Sequence, residues 1–334
     1  MRRFVLSVTC ATLAAAGLAA GQASQTTVRE PTAQATAALK SQLFDAQQLL
    51  KDLEILSADD MQGRQVATPG GEKARAYVVE RFKASGLQPV GAAFEHSFTF
   101  SSGRGDQAAE RTGVNVVGRI EGRNTSRYIV ITAHYDHVGV RNGEVFNGAD
   151  DNASGTAALF ALAKYFSTRK PANSLLFVAF DAEESGLRGA SAFVAKPPVP
   201  AESMIINLNM DMIGRDPKDV LYVAGTTPQP FLKPFIERIA GKAPVKLTMG
   251  YDSSAFKENW MGQSDHAAFC RAKIPCLYFG VEDFENHHKA SDDYATMTHG
   301  FYVRAVETMI YAVEEFDRSL DAVIKARGVE PRDR

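Results

Sequence analysis

The apolar positions of this chain keep two different periods, and the alternation between them outlines a fold. "LKSQLFDAQQLLKDLEIL" (39–56) carries its apolar residues at helical spacing. "ATPGGEKARAYVVERFKASGL" (67–87) reads as a second helix. Pro69 and two glycines precede it, Ala74, Tyr77, Val78 and Phe82 share a face, and Gly86 ends it. From residue 94 the period shortens. "FEHSFTF" alternates, and "GVNVVGRI" and "RYIVITA" follow, separated by the turn "EGRNTS". "SLLFVAF", "SMIINLNM" and "IPCLYFG" are short continuous apolar runs, as expected of strands covered on both faces of a mixed or parallel sheet. Helical stretches lie between them: "SGTAALFALAKYFST", "LRGASAFVA" and "FLKPFIERIAG". The last, "YVRAVETMIYAVEEFDRSLDAVIKA", sets Val306, Met309, Ile310, Val313, Phe316 and Leu320 on one side. No internal repeat is visible. The pattern predicts one α/β domain, with a twisted, mostly parallel or mixed central sheet and helices on both faces.

Composition adds bounds. Of 334 residues, 45% are hydrophobic and 23% charged, enough apolar material for a large core. The net charge of −2 offers no basic field for nucleic acid or an anionic membrane. At the N-terminus, Arg2 and Arg3 precede the uncharged run "FVLSVTCATLAAAGLAA" and the small residues "AAGQAS", which reads as a secretory signal over residues 1–23. The expected layout is a linker over 24–45, one folded domain over 46–325 and a polar tail over 326–334. The expected location is secreted or periplasmic, without stable membrane insertion once the signal is removed. Two cysteines remain, Cys270 and Cys276. Two buried thiols are the simpler expectation; a disulfide is the alternative in an exported chain.

The ends of the predicted strands run into acids and histidines. In "AHYDHVG", an extended chain puts His134 and Asp136 on the same side, the spacing of a histidine ligand and its orienting carboxylate. A loop histidine beside a capping aspartate is the plainer alternative. "NGADDNASG" opens a helix that Asn152 or Ser154 can cap, with Gly148 and Gly155 permitting close packing. Its acids offer either a bridging carboxylate or a polar loop. "DAEESGLRG" places Glu183 and Glu184 after an apolar run, where an unpaired buried carboxylate costs several kcal/mol. One can bind metal while the other handles a proton; a solvated turn is the alternative. "NLNMDMIG" adds Asp211, and "ENHHKASDDY" adds His287 and His288. Taken together, two histidines and three carboxylates make a mixed nitrogen–oxygen set that suits zinc. Five ligands, one of them bridging, can hold two ions about 3.5–4 Å apart and leave a sixth carboxylate for acid–base work.

The ordered motifs "AHYDHVG", "NGADDNASG", "DAEESGLRGA", "NMDMIG", "SDHAAF" and "HKASDDY" resemble the co-catalytic two-zinc aminopeptidases of clan MH, family 28, over roughly residues 46–325. The resemblance implies two zinc ions and a peptide substrate with a free N-terminus. It implies that His134 and Asp211 bind one ion, that Glu184 and His288 bind the other, and that Asp151 bridges them. Asp136 would orient His134, Glu183 would be the general base, and a cis peptide would follow Asp151. Asp150 would then be a neighbour that need not touch metal, and Asp265 would lie behind the site; His137 and His266 read as non-ligands. Where many family members carry an aromatic residue before the last histidine ligand, this chain has His287, expected to donate a hydrogen bond to the substrate. A glutaminyl cyclase or a carboxypeptidase on the same scaffold remains open, the latter with Arg188 or Arg215 as anion clamp. So does a non-catalytic binding module. Phe256 and Trp260 are the expected apolar wall of the substrate pocket.

Overall fold

The computed structural model describes residues 39–103 and 109–328. The signal segment and most of the linker and of the polar tail lie outside the described residues. Among the described residues, eleven strands form: β1 (Gln88–Pro89), β2 (Glu95–Ser102), β3 (Ala109–Ile120), β4 (Asn124–His134), β5 (Val140–Arg141), β6 (Glu144–Val145), β7 (Asn173–Phe180), β8 (Met204–Met210), β9 (Val220–Ala224), β10 (Lys246–Met249) and β11 (Cys276–Gly280). Nine belong to one sheet in the order β1-β3-β7-β4-β8-β11-β9-β10, with β2 paired to β3; β5 and β6 make a separate hairpin. The central four, β7-β4-β8-β11, are mutually parallel. Antiparallel pairing at β3–β7 and β9–β11 makes the whole sheet mixed.

Alternation along the central strands divides the core. Ile129, Ile131, Leu175, Phe177 and Ala179 face one layer. Val130, Leu176, Val178 and Phe180 face the other. Helices α1 (Ala46–Leu56), α2 (Pro69–Ala84), α3 (Gly155–Ser167), α5 (Lys233–Ala240) and α7 (His299–Arg327) cover the first face. Helices α4 (Arg188–Ala195) and α6 (His266–Arg271) cover the second, through Phe193 and Phe269.

Three local expectations are refined. α1 starts at Ala46, not at residue 39, because Asp45 accepts from the backbone N–H groups of Gln47 and Gln48 and so ends the extended entry. Leu39, Leu43 and Phe44 still pack on the core from that entry. β9 and β10, which apolar runs alone did not single out, are short, and β10 is only half-buried. Cys270 and Cys276 are joined in a disulfide with Cα atoms 5.6 Å apart, in place of two thiols. The chain reverses at Lys273, whose φ is +60°, and this brings the start of β11 back beside the end of α6.

Candidate metal centre

The parallel strands discharge their polar termini at one edge of the sheet, where ligand sites of open α/β folds lie. β4 ends on His134, β7 leads into Asp181–Glu184, β8 leads into Asp211, and β11 leads into the loop that carries His287 and His288. Pairing of His134 with Phe180, and of Thr132 with Asn209, sets these ends level. Asp151 enters from the crossover between β4 and β7, at the kink of a tight turn (Ala149–Ser154) that runs into α3. Its peptide bond to Asn152 is cis, as expected.

Asp151 stands at the middle of the cluster. His134 Nε2 lies 3.4 Å from Asp151 Oδ1 and 3.2 Å from Asp211 Oδ1. On the other side, His288 Nε2 lies 3.2 Å from Asp151 Oδ2 and 2.9 Å from Glu184 Oε2. His287 Nε2 is 3.6 Å from Asp151 Oδ2. His137 Nδ1 is 3.6 Å from the same oxygen and 2.9 Å from Glu184 Oε1. Donor atoms gather into three compact groups: His134–Asp151–Asp211, His137–Asp151–Glu184 and Asp151–His287–His288. Three imidazoles surround Asp151 Oδ2, yet that buried oxygen makes no aligned hydrogen bond. A carboxylate so placed is costly unless a cation completes it. The mixed nitrogen and oxygen donors fit zinc.

Neighbouring groups fix these donors by their backbones. The Asp136 carboxylate accepts from the N–H groups of Glu183 (3.0 Å) and Glu184 (3.3 Å), tying the end of β7 to the end of β4. It also stands behind His134, 3.7 Å from Nδ1, but the main-chain oxygen of Asp136 is closer, at 3.1 Å. Asp292 accepts from the N–H groups of Asp150 and Asp151, both at 2.9 Å. Asn152 caps α3 by accepting from Gly155 N–H at 2.8 Å, while Ser154 makes no capping bond. Gly155 has no room for a side chain, since a Cβ there would lie 2.5 Å from Met210 O. Asp150 turns away and accepts from Gly214 N–H.

Charge is distributed unevenly. Burial pushes the Glu183 carboxyl well above the ordinary range, and Asp265, Asp211 and Glu184 add to it against His134. Burial would raise Glu184 as well, but His137 and His288 hold it well below. Burial of Asp211 is likewise outweighed by His134. Contacts with Asp151 first and Glu184 second push His288 up to about 10. Arg64, fully buried, is lowered to about 10 by burial, against the attraction of Asp151, Asp292 and Asp136.

A cavity of about 610 Å³ opens over the cluster. Glu183, His287 and His288 face it, and Met212, Trp260, Val281 and Phe284 give it an apolar wall. Trp260 is therefore where the sequence places it. Phe256 is not in that wall; it packs against Tyr251 and Gly250. Asp265 stands at the N-cap position of α6 but makes no capping bond, and Ser264 accepts from Asn209 instead. The buried Asp265 carboxyl is raised well above its usual value by burial, in the field of His134, Asp136 and Asp211. His266 is buried against Tyr278, away from the donor groups. Arg215 is enclosed by Asp283 and Asp292, and Arg188 bonds Ser185 O. His137, expected not to be a ligand, is buried with its Nδ1 beside Asp151 and Glu184. Its period in "HYDHVG" differs from that of His134, and only the folded loop turns it inward. Asp292 and Arg64 were not singled out either, because they act on backbone atoms and leave no ligand spacing.

Residues 115–313 match the family model described as peptidase family M28. Aminopeptidase YwaD of Bacillus subtilis (strain 168) is 29% identical over 174 residues, which is 51% of this chain and 36% of that protein. Leucine aminopeptidase 2 of Trichophyton rubrum is 25% identical over 237 residues, 63% of this chain and 46% of that protein. The matches thus span less than half the length of these relatives. Among solved structures, the glutaminyl cyclase of Porphyromonas gingivalis superposes with a TM-score of 0.69 at 18% identity, covering 82% of this chain and 99% of that one. A zinc aminopeptidase from Bacillus subtilis gives 0.67 at 18%, covering 83% and 96%. At such identities the likeness is one of fold.

Proposed function

This chain belongs to peptidase family M28, and on that footing we propose that it is an exported zinc-dependent exopeptidase. Its activity is that of an aminopeptidase, removing N-terminal residues from peptides with a free N-terminus. The observation that carries the reading is Asp151, one carboxylate flanked on both sides by separate donor groups and overlooked by Glu183. His134 and Asp211 would hold one zinc ion, Glu184 and His288 the other, with Asp151 shared. When bound, the ions supply Lewis acidity and bring the pKa of water toward neutrality.

The protein's own groups do the rest. Glu183 takes the proton of the attacking water on its carboxylate and passes it to the leaving amine; its burial among acids favours holding that proton. His287, 47% exposed and facing the cavity, donates its ring N–H to the developing oxyanion. Glu258 lines the cavity and gives the substrate ammonium a partner. The wall of Met212, Trp260, Val281 and Phe284 favours an apolar N-terminal side chain.

A carboxypeptidase would need a cation for the substrate carboxylate. Among the described residues, no Arg or Lys lines the cavity, which favours the amine-directed reading. Export is supported by the N-terminal pattern and by the Cys270–Cys276 disulfide, since such bonds persist in oxidising compartments. Among the described residues, no helix is long and apolar enough to cross a membrane.

The test compares leucyl peptides that are N-terminally free with N-acetylated ones, with chelator and with zinc restored. Cleavage of the free peptides alone, lost with chelator and regained with about two zinc ions per chain, is expected. Equal cleavage of the acetylated peptides overturns the aminopeptidase assignment. Cyclisation of N-terminal glutamine with ammonia release, without peptide cleavage, would replace it by a cyclase.

A further inference from the structure

We propose that His137 is a sixth protein ligand of the metal centre, giving the ion on the Glu184 side two imidazoles where the ion on the Asp211 side has one. The inference rests on the metal-centre reading above and adds a residue to it.

Three observations converge on His137. Its side chain is fully buried, and its Nδ1 lies 2.9 Å from Glu184 Oε1 and 3.6 Å from Asp151 Oδ2. His288 presents its Nε2 to the same two carboxylates, at 2.9 and 3.2 Å. Two histidines therefore approach one pair of acids from different sides, with ring centroids 5.8 Å apart and planes inclined by 62°. His137, Asp151 and Glu184 form one of the compact donor groups, and with His288 on the same two carboxylates the donors are the mixed nitrogen and oxygen atoms that zinc takes.

The ring also lacks an alternative occupation. Neither nitrogen of His137 makes an aligned hydrogen bond, even though Nδ1 is within hydrogen-bond distance of Glu184. A fully buried imidazole is seldom left in that state, because desolvating it without a partner costs free energy. A cation between Nδ1 and the two carboxylates removes the deficit at Nδ1.

The fold is built around the ring. Gly148 holds φ at +54°, and a Cβ there would lie 2.5 Å from His137 Cδ2 and 2.6 Å from Cγ. The loop that carries Asp151 is thus pressed against the imidazole face with space for nothing larger than glycine. Arg64 fixes the two arms relative to each other. It donates to Tyr135 O at 2.9 Å on the His137 arm, and to Asn147 O at 2.6 Å and Gly148 O at 2.8 Å on the Asp151 arm. His137 and Asp151 are consequently held in register by a rigid frame, as a ligand pair requires.

The experiment measures zinc, not turnover. Wild type, His137→Phe and His137→Gln are stripped, refilled with zinc and titrated against a chromophoric chelator. Zinc-edge X-ray absorption counts the imidazoles per ion. His137→Phe keeps a ring against Gly148, and circular dichroism of both apo-variants reports folding. In the folded variants one of the zinc ions is expected to bind at least ~10-fold more weakly, the lower bound for loss even of an orienting partner. Imidazole scattering per ion is expected to fall with it. Wild-type affinity retained within about threefold, against that bound, or imidazole scattering unchanged in a folded variant, overturns the assignment of His137 alone. A wild type that binds no zinc overturns the metal-centre reading and this inference together.

Discussion

Asp292 grips Asp151 by its main chain: the two carboxylate oxygens accept the consecutive N–H groups of Asp150 and Asp151, each at 2.9 Å. The same carboxylate meets Arg215 Nη2 at 2.7 Å, so its charge is neutralised on the side away from the cluster. The central acid is thus positioned by backbone bonds, and its own carboxylate remains free for ligation. Replacing Asp292 by Asn removes one acceptor and the charge facing Arg215. The expected result is a loss of about 1–3 kcal/mol of stability and a zinc affinity lower by ~10–100-fold. Urea unfolding of the apo-protein and chelator competition measure the two separately.

Glu183 lies at the rim of the cavity, outside the three donor groups. Glu183→Gln should therefore keep its zinc while kcat drops by ~10²–10⁴-fold, the range for a lost general acid–base group. Loss of zinc in step with activity would assign Glu183 to the ligand set instead.

His287 separates two roles by kinetics. As oxyanion donor, its replacement by Ala should lower kcat by up to ~10²-fold with little change in KM. An unchanged kcat removes the role.

His266 makes stability depend on pH. Burial lowers it from 6.5 to about 4, so the folded protein refuses a proton that the unfolded chain accepts below 6.5. The unfolded state then binds more protons, and stability falls as pH drops from 6.5 toward 4, by roughly 3 kcal/mol for this group. Above 6.5 the group contributes no slope. Urea midpoints at pH 7.5 and 4.5 should differ less in His266→Gln than in wild type; an equal difference would contradict the assignment.

Strand ends and backbone contacts differ in how plainly the sequence shows them. His134, Glu183, Glu184 and Asp211 were legible because each follows an apolar strand, and parallel pairing of those strands brings their ends together. The order of the motifs then added Asp151 and His288. The position of His137 was not legible, because its inward direction depends on Gly148 crossing over its ring from a loop eleven residues away. Asp292 and Arg64 were hidden for another reason: they bind main-chain atoms, which carry no residue-specific signature. The helical start at Ala46 was obscured because apolar spacing continues through the capping Asp45 to Leu39.

Arg64 has one consequence beyond holding carbonyl oxygens. It is a permanent positive charge sealed under an edge crowded with acids, and Asp151, Asp292, Asp136 and Glu184 all attract it. The polypeptide carries within itself part of the countercharge that its acidic rim needs. Part of the charge balance that lets this edge of the sheet assemble is therefore built into the chain before any cation binds.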